Sequence, residues 1–487
     1  MELNRDICYR AVQARDRRFD GRFFTGVTST GIFCRPVCRA IVPKLENCEF
    51  YPSAAAAMAQ GFRPCKRCRP ESAPGSPAWN GAATTVSRAM RLIREGGLDD
   101  GNTDAFASRL GVSARHLRRL FQQHLGASPG AVARAQRVLF AVKLIQETEL
   151  PFGQIAYSAG FGSVRRFNAA IAALYGSPPS ALRRDGARVS AQGGDCVRLK
   201  LDYAAPYDWD FMRDFFAARA LPGVEVVSDD SYQRTIRVGD VCGWLRVAQV
   251  PERQQLRIDL QLPDTHDLHS VVWRVRRLFD LDADRAQIDE QLAQDALLAP
   301  LVAHQPGLSV PGAWDLFEIT VRAIIGQQIS VAAARTIAGR LVALCGDTLP
   351  GANAAPLTHV FPRAVAVANA DLSGLGLTKK RAENLQAVAQ AFADDQVGLR
   401  PNDELQDMER TLCRLPGIGP WTAQYIAMRA LDAADAFPVG DLGLRHGLAA
   451  LGHSCTSAEM QTRAEHWRPF RAYAAVRLWA HLAQNRS

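Results

Sequence analysis

The chain has 487 residues, of which 47% are hydrophobic and 22% are charged, and its formal net charge is +9. This length exceeds one ordinary core and predicts three or four folding units, while the composition excludes extensive disorder. The start, MELNRDICYR, has no apolar stretch, and nowhere do about 18 uncharged apolar residues run together. Secretion and membrane insertion are therefore not expected. The expected location is the cytoplasm.

The positive charge is concentrated in the first part of the chain. Residues 1–186 hold 27 Lys and Arg against 14 Asp and Glu, a net charge of +13. Residues 187–487 hold 31 against 35, a net charge of −4. A basic segment of this size suits a polyanionic partner such as nucleic acid, whereas the C-terminal part needs another way to bind one.

Eleven cysteines in a chain without an export signal favour free thiols or metal ligands over disulfides. Four of them form two close pairs, C-x3-C and C-x2-C, separated by a loop. Such pairs can close a tetrahedral zinc site, which predicts that Zn²⁺ is bound by Cys34, Cys38, Cys65 and Cys68. The spacing alone is equally compatible with a purely structural zinc that staples a small domain.

The segments TGIFCRPVCR and NCEFYPSAAAAMAQGFRPCKRC closely resemble the N-terminal domain of the Ada adaptive-response family, over nearly all of residues 5–70. The resemblance implies that Cys34 accepts a methyl group from a methylated DNA phosphate. Zinc keeps sulfur as the nucleophilic thiolate, and methylation makes the centre less negative, which strengthens DNA binding. Phosphate contacts are expected from Arg35, Arg39 and Arg67.

The next segment has helical periodicity and a loose internal repeat, DAFASRLGVSARHLRRLF and GQIAYSAGFGSVRRFNAAI. Each copy predicts a helix, a glycine turn and a second helix that opens at a serine, Ser113 or Ser163. A single copy would also fit an ordinary bundle, but the duplication, with SPGAVARAQRV and GSPPSALRR, resembles the AraC-type DNA-binding domain. The resemblance implies two recognition helices, with DNA contacts at Arg115, Arg118, Arg119, Arg165 and Arg166.

From residue 196 to about 290, β-type runs such as VRLKL and QLRIDLQL mix with helical segments, and 313–484 is almost entirely helical in its periodicity. The sharpest motif is LPGIGPWTA at 415–423. Gly417 and Gly419 permit a tight hairpin whose backbone N–H groups can hold a DNA phosphate, and Thr422 is expected at the same contact. Such hairpins also occur in passive DNA clamps, so the motif alone does not establish catalysis.

Asp441, in FPVGDLGLR, lies 22 residues beyond Gly419, where helix-hairpin-helix glycosylases carry their catalytic aspartate. From Tyr207 to Trp479 the chain resembles the AlkA-type 3-methyladenine DNA glycosylases of the HhH-GPD superfamily, including PYDWDFMRDFFAARA, AIIGQQISVAAA and WRPFRAYAAVRLW. The resemblance implies catalysis by Asp441 in hydrolysing the bond to a flipped, cationic base. It implies an aromatic base pocket at Phe215, Trp421, Tyr425 and Trp479, although each ring could equally belong to the core.

Three absences restrict the expected chemistry. Glycosylases that also cut the strand carry a lysine where this chain has Trp421, so no lyase activity is expected. A single cysteine, Cys455, follows Asp441, so the iron–sulfur cluster of some relatives cannot form. No Pro-Cys-His-Arg sequence occurs, and a second methyltransferase domain is not expected. Gln328 is the expected DNA contact in Gly-Gln-Gln-Ile, although either it or Ile329 could fill the stack that the flipped base leaves.

Together these features predict a multidomain chain, mainly α with α+β parts. The predicted domains are a zinc-binding methyl-acceptor domain at 1–75, an all-α tandem helix-turn-helix domain at 84–185, an α+β lobe at 196–305 and a helix-hairpin-helix glycosylase lobe at 306–487. The expected function is DNA alkylation repair and its regulation, by a monomer without membrane association. The expected partners are double-stranded DNA and RNA polymerase.

Two alternatives remain open from the sequence. In the first, the protein is a transcription factor whose C-terminal half only clamps DNA. In the second, it is a glycosylase whose zinc and helix-turn-helix units only anchor it to DNA.

Overall fold

The computed structural model describes residues 3–16, 19–68, 70, 84–94, 96–98, 101–183, 196–350, 356–399 and 404–484. The segments between the predicted domains, 76–83 and 186–195, lie outside these residues. The described chain is multidomain and combines many helices with sheets of four, five and two strands, as predicted. None of its described helices has the length and apolar character needed to cross a membrane.

The N-terminal unit is a small sheet with two helices. Its elements are α1 (Arg5–Ala14), β1 (Phe24–Val27), β2 (Ile32–Cys34), β3 (Cys48–Tyr51), α2 (Ala54–Ala59) and β4 (Arg63–Pro64). The strand order is β3-β1-β2-β4, and β2 pairs with β4 in parallel. Parallel pairing places the ends of β2 and β4 at the same edge of the sheet, and a cysteine pair lies at the end of each strand.

In its described residues, the second unit contains helices and no strands. Its elements are α3 (Thr84–Arg94), α4 (Thr103–Arg109), α5 (Ala114–Leu125), α6 (Pro129–Glu147), α7 (Phe152–Ser158), α8 (Val164–Tyr175) and α9 (Pro179–Leu182). Ser113 and Ser163 cap α5 and α8 by accepting a backbone N–H, which confirms the predicted helix starts. Gly111 and Gly160, with φ of 71° and 79°, make the two turns.

The third unit is an antiparallel sheet in the order β5-β9-β8-β7-β6, packed against helices. Its strands are β5 (Cys196–Asp202), β6 (Glu225–Val227), β7 (Ser231–Val238), β8 (Val241–Val250) and β9 (Gln255–Gln261). Its helices are α10 (Trp209–Ala217), α11 (Leu268–Leu278), α12 (Arg285–Leu292) and α13 (Ala299–His304). This is the predicted α+β lobe.

Where the structure describes it, the last unit is helical apart from one short strand pair, β10 (Asp347–Thr348) with β11 (His359–Val360). Its helices are α14 (Leu316–Ile325), α15 (Val331–Cys345), α16 (Ala364–Asn369), α17 (Lys379–Ala393), α18 (Leu405–Leu412), α19 (Pro420–Ala430), α20 (Leu442–Ala450), α21 (Ser457–Ala464) and α22 (Arg471–Gln484). The hairpin between α18 and α19 and the turn before α20 position the predicted glycosylase residues.

One hydrophobic core joins the second helix-turn-helix repeat to the α+β lobe. Phe167 of α8 and Leu199 of β5 belong to the same buried cluster. Strand β5 is at the edge of its sheet, and α6 covers that edge. Glu147 accepts the N–H of Lys200 at 3.0 Å, and buried Lys143 donates to the carbonyl oxygen of Lys200. The predicted domain boundary near residue 190 therefore separates two segments of the chain that share one hydrophobic core.

Candidate functional site

Four cysteine side chains meet at one end of the N-terminal sheet. The Sγ atoms that lie within 4.8 Å of one another belong to Cys34, Cys38, Cys65 and Cys68. Tetrahedral zinc with Zn–S bonds of about 2.3 Å requires sulfur atoms about 3.8 Å apart, close to the 4.0 Å between Cys38 and Cys65. The four-thiol donor set and its spacing are thus suited to zinc. Cys8 and Cys48 are buried outside this group.

Arg35 follows the first of these cysteines and lies between two units. Its guanidinium forms ion pairs with Asp20 of the N-terminal unit and, at 3.1 Å, with Asp202 at the end of β5. Its backbone N–H donates to Cys68 Sγ at 3.3 Å. The sequence predicts a phosphate contact for Arg35, but the side chain is only 10% exposed, because the α+β lobe brings Asp202 against the zinc site. In this arrangement Arg35 is not available to DNA.

The other basic residues predicted to contact DNA face solvent. They are Arg39 and Arg67 near the zinc site, Arg115, Arg118 and Arg119 on α5, and Arg165 and Arg166 on α8. Leu117 and Phe167, on the opposite faces of these two helices, are fully buried. Both second helices therefore present a basic outer face that can contact phosphates and base edges.

The glycine hairpin before α19 has the geometry of an anion site. Gly417 has a φ of 78°, and a Cβ at this position would lie 2.5 Å from the side chain of Asn384. Gly419 is the N-cap of α19, and Pro420 is the first residue of the helix. The first N–H groups of a helix have no acceptor within it, so they can bind a phosphate.

Thr422 supports this hairpin from inside. The sequence predicts a DNA contact for Thr422, but the residue is 3% exposed. Its hydroxyl accepts a hydrogen bond from Gln327 Nε2 at 3.0 Å, and the same amide donates to the carbonyl oxygen of Gly417 at 2.9 Å. Gln327, which the motif does not single out, therefore connects the end of α14 to the hairpin.

Asp441 is the N-cap of α20 and is held by three N–H donors. Its Oδ1 accepts the backbone N–H of Leu444 at 2.8 Å and the indole N–H of Trp479 at 2.9 Å. Its Oδ2 accepts the indole N–H of Trp421 at 3.0 Å. The carboxylate also lines a cavity, where a fixed negative charge can stabilise positive charge that develops during a reaction.

This cavity has a volume of about 680 Å³ and is lined by all four predicted pocket aromatics, Phe215, Trp421, Tyr425 and Trp479. The rings of Trp421 and Tyr425 are parallel within 6°, with centroids 5.6 Å apart. The ring of Trp479 meets that of Tyr425 edge to face at 6.3 Å. The volume accommodates a flat base, and the electron-rich faces attract a cationic one.

Two arginines that the motifs do not single out also line the cavity. The guanidinium carbon of Arg219 lies 3.7 Å from the ring centroid of Phe215, and that of Arg429 lies 4.7 Å from it. Burial raises the pKa of Tyr425, but the positive charges of Arg429 and Arg219 outweigh it and hold the pKa below its usual value. The sequence signal that could have identified Arg429 is its spacing, four residues after Tyr425 on α19, because side chains at this spacing lie on the same face of a helix.

The turn between α14 and α15 contains a strained residue. Gln328 has a φ of 60°, a left-handed conformation that costs a residue other than glycine about 1–3 kcal/mol. Its side chain is exposed, whereas the neighbouring Ile329 lines the cavity. The turn thus directs Gln328 outward beside the cavity.

Family models match four consecutive segments of the chain. They are the metal binding domain of Ada at residues 7–71, a helix-turn-helix domain at 106–185, the AlkA N-terminal domain at 198–315, and the HhH-GPD superfamily of base excision DNA repair proteins at 321–472.

Similar proteins carry the same combination or one part of it. A probable bifunctional transcriptional activator/DNA repair enzyme AlkA of Mycobacterium tuberculosis is 42% identical over 479 residues, which cover 98% of this chain and 96% of the relative. DNA-3-methyladenine glycosylase 2 of Escherichia coli is 35% identical over 57% of this chain and 95% of its own. A solved 3-methyladenine DNA glycosylase from Archaeoglobus fulgidus, 22% identical, shares the fold over 58% of this chain and 97% of its own, with a TM-score of 0.51.

Proposed function

The chain belongs to the AlkA-type family of bifunctional transcriptional activator/DNA repair enzymes, and on this premise we propose that it excises alkylated purines, such as 3-methyladenine, from double-stranded DNA. We propose further that it senses methylated phosphates through Cys34. The observation that carries the first proposal is the contact of Asp441 with both indoles of the aromatic cavity. A passive DNA clamp needs neither this carboxylate nor the cavity.

The proposed reaction is hydrolysis of the bond between the base and C1′ of the sugar. The extruded base packs against Trp421 and Tyr425, and the bond breaks with its electron pair leaving on the base. Alkylation already makes the base a good leaving group, so the main requirement is to stabilise the positive charge that is left on the sugar. Asp441 stabilises this charge and orients the water that adds to C1′.

We propose that the enzyme does not cleave the strand. A lyase reaction needs an amine that attacks C1′ and forms a Schiff base. Trp421 occupies the position of the lysine in lyase relatives, and among the described residues around the cavity there is no lysine. The product is therefore an intact strand with an abasic site.

The glycosylase proposal is tested with Asp441→Asn. Asparagine preserves an acceptor for the cap of α20 but removes the negative charge. Release of 3-methyladenine from methylated duplex DNA should fall by about 100-fold or more. Asp315→Asn, at the N-cap of α14, is the matched control and should retain normal release. Equal release by the parent and Asp441→Asn would show that another group stabilises the sugar.

The proposed sensor reaction transfers one methyl group to Cys34. The sulfur attacks the methyl carbon of a phosphotriester, an S–C bond forms, the O–C bond breaks, and the DNA keeps a phosphodiester anion. Zinc, when bound by the four cysteines, keeps the thiols deprotonated and nucleophilic. Cys34 lies at the end of β2 and is partly exposed, which supports access by a backbone phosphate.

Mass spectrometry after incubation with methylated DNA tests this reaction. One added methyl is expected on Cys34 of the parent, and none on the Cys34→Ser variant. Cys48→Ser is the matched control, because Cys48 is buried outside the cluster, and it should keep both zinc and methyl uptake. An unmodified Cys34 at full zinc occupancy would favour the alternative in which zinc and the helices only anchor the enzyme.

We propose that the helix-turn-helix unit activates transcription as a monomer that contacts RNA polymerase. The exposed arginines of α5 and α8 support two recognition helices in one chain, whereas simple helix-turn-helix proteins obtain two by dimerisation. Light scattering of the protein bound to promoter DNA should give one chain per site. Two chains per site would contradict the monomer.

A further inference from the structure

Two of the arginines that line the cavity are paired with carboxylates, and within the described residues Arg219 is not. Arg234 and Arg322 both form ion pairs with Glu318, and Arg322 also pairs with Glu225. In the described part of the chain, no such pair involves Arg219. Arg322 instead donates to the carbonyl oxygen of Arg219 at 3.1 Å, which fixes its backbone. A cation without a carboxylate partner is costly to bury unless it finds other acceptors.

Arg219 also has N–H groups that its protein neighbours do not use. A guanidinium has five N–H donors, and that of Arg219 donates from Nη1 to the carbonyl oxygen of Phe215 at 3.2 Å and also hydrogen-bonds to the hydroxyl of Tyr425. Arg429, in contrast, donates to the carbonyl oxygens at 311–312 and to the hydroxyl of Tyr425. Arg429 therefore uses its N–H groups to fix the cavity wall, whereas Arg219 retains N–H donors that can bind a ligand.

The position of Arg219 fits the far edge of a bound base. In the proposed mechanism Asp441 marks the end of the cavity where the sugar reacts, and its carboxylate accepts the indole N–H of Trp421. Tyr425 lies one turn further along α19, and its hydroxyl is hydrogen-bonded to both Arg429 and Arg219. A base that packs on Trp421 with its glycosidic bond at Asp441 thus extends towards Arg219, which stacks on the ring of Phe215.

We propose that Arg219 sets the base preference by donating a hydrogen bond to a carbonyl oxygen on the far edge of the extruded base. This inference rests on the glycosylase function proposed above. 7-Methylguanine carries such an oxygen, whereas 3-methyladenine has an exocyclic amino group at the same ring position, which cannot accept from a guanidinium. Both lesions are cationic in DNA, so charge repulsion affects them alike and their ratio isolates the hydrogen bond.

The test uses the full-length protein and methylated duplex DNA that contains both lesions. The two released bases are separated by chromatography and measured from the same single-turnover reaction. Arg219→Gln should lower the release rate of 7-methylguanine by about tenfold or more relative to that of 3-methyladenine. Arg219→Lys, which keeps a cation with fewer well-placed donors, should give an intermediate ratio.

Arg213→Gln is the matched control. Arg213 lies on α10 and pairs with Asp210 and Asp214, so its loss should leave the ratio unchanged. An unchanged ratio in a folded Arg219→Gln variant would overturn the proposal. If that variant unfolds, an unchanged ratio in the Arg219→Lys variant would overturn the proposal instead. If the parent releases neither base, the proposed glycosylase function itself fails, whereas release of both at an unchanged ratio removes only the role of Arg219.

Discussion

Arg35, next to the first cysteine of the zinc site, forms an ion pair at 3.1 Å with Asp202 of the α+β lobe. Both side chains are nearly buried, at 10% and 12% exposure. A second pair, between Arg22 and Asp284, joins the same two units. The unit proposed to sense DNA methylation is therefore docked directly on the repair enzyme, although more than a hundred residues separate them along the chain.

Asp202→Asn should loosen this docking. The variant removes the charge partner of Arg35, which keeps only Asp20, and a hydrogen bond between charged groups contributes about 1.5–3 kcal/mol. Hydrogen exchange of the β1 and β2 amides should show the N-terminal unit opening more readily by that amount. Asp230→Asn breaks the exposed pair with Arg246 and should change stability by less than about 1 kcal/mol. Equal protection in Asp202→Asn and the parent would show that the pair contributes nothing.

Trp479→Phe should slow base excision without emptying the pocket. The ring is kept, but the hydrogen bond from the indole N–H to Asp441 Oδ1 is lost. We expect the single-turnover rate to fall about tenfold, as for the loss of one hydrogen bond to a charged group. Trp244→Phe removes a comparable bond, to Gln261 on the sheet, and should leave the rate unchanged. A normal rate for Trp479→Phe would mean that Trp421 and the backbone N–H of Leu444 suffice to orient the carboxylate.

Gln328→Gly should raise stability and lower activity. Glycine adopts a φ of 60° without strain, so the free energy of unfolding should increase by about 1 kcal/mol. We propose that Gln328, which is exposed, rather than Ile329, which lines the cavity, fills the stack that the flipped base leaves, so loss of its side chain should reduce excision from duplex DNA. Gln254→Gly is the matched control, since Gln254 has a φ of 54° in a remote turn. It should gain similar stability at full activity, and a fully active Gln328→Gly would assign the role elsewhere.

Asp280→Asn should change how stability depends on pH. Burial raises the pKa of Asp280 to about 7, despite the nearby charge of Arg285 and hydrogen bonds from Val310 and Tyr473. The unfolded chain loses this proton near pH 4, so between pH 4 and 7 only the folded state holds it. This group therefore stabilises the fold at low pH and loses that contribution as the pH rises through 7.

The measurement is denaturant unfolding of the parent and the variant from pH 4 to 8. The stability of Asp280→Asn relative to the parent should rise across this range, by up to about 4 kcal/mol, and level off above pH 7. A difference that does not vary with pH would show that Asp280 is ionised in the folded protein at all these values.

Local features of the site could be predicted from the sequence, because neighbouring residues determine them. The cysteine spacing, the serine cap of α5 and the glycine hairpin at Gly417 belong to this class. Other features of the site depend on contacts between residues that are distant along the chain. Arg35 lies 167 residues from Asp202, and no local pattern distinguishes it from a phosphate contact. Thr422 is buried and accepts a hydrogen bond from Gln327, which lies 95 residues before it in the chain.

The cover that α6 places over β5 has a consequence for the handling of this chain. An uncovered edge strand presents free N–H and C=O groups, which can pair with another molecule and begin aggregation. Glu147 and Lys143 occupy these groups at Lys200. A fragment starting at residue 196 would expose this edge, and only the charges of Arg198, Lys200 and Asp202 along β5 would then oppose such pairing. Separation of the two halves should therefore make the C-terminal half more prone to aggregation.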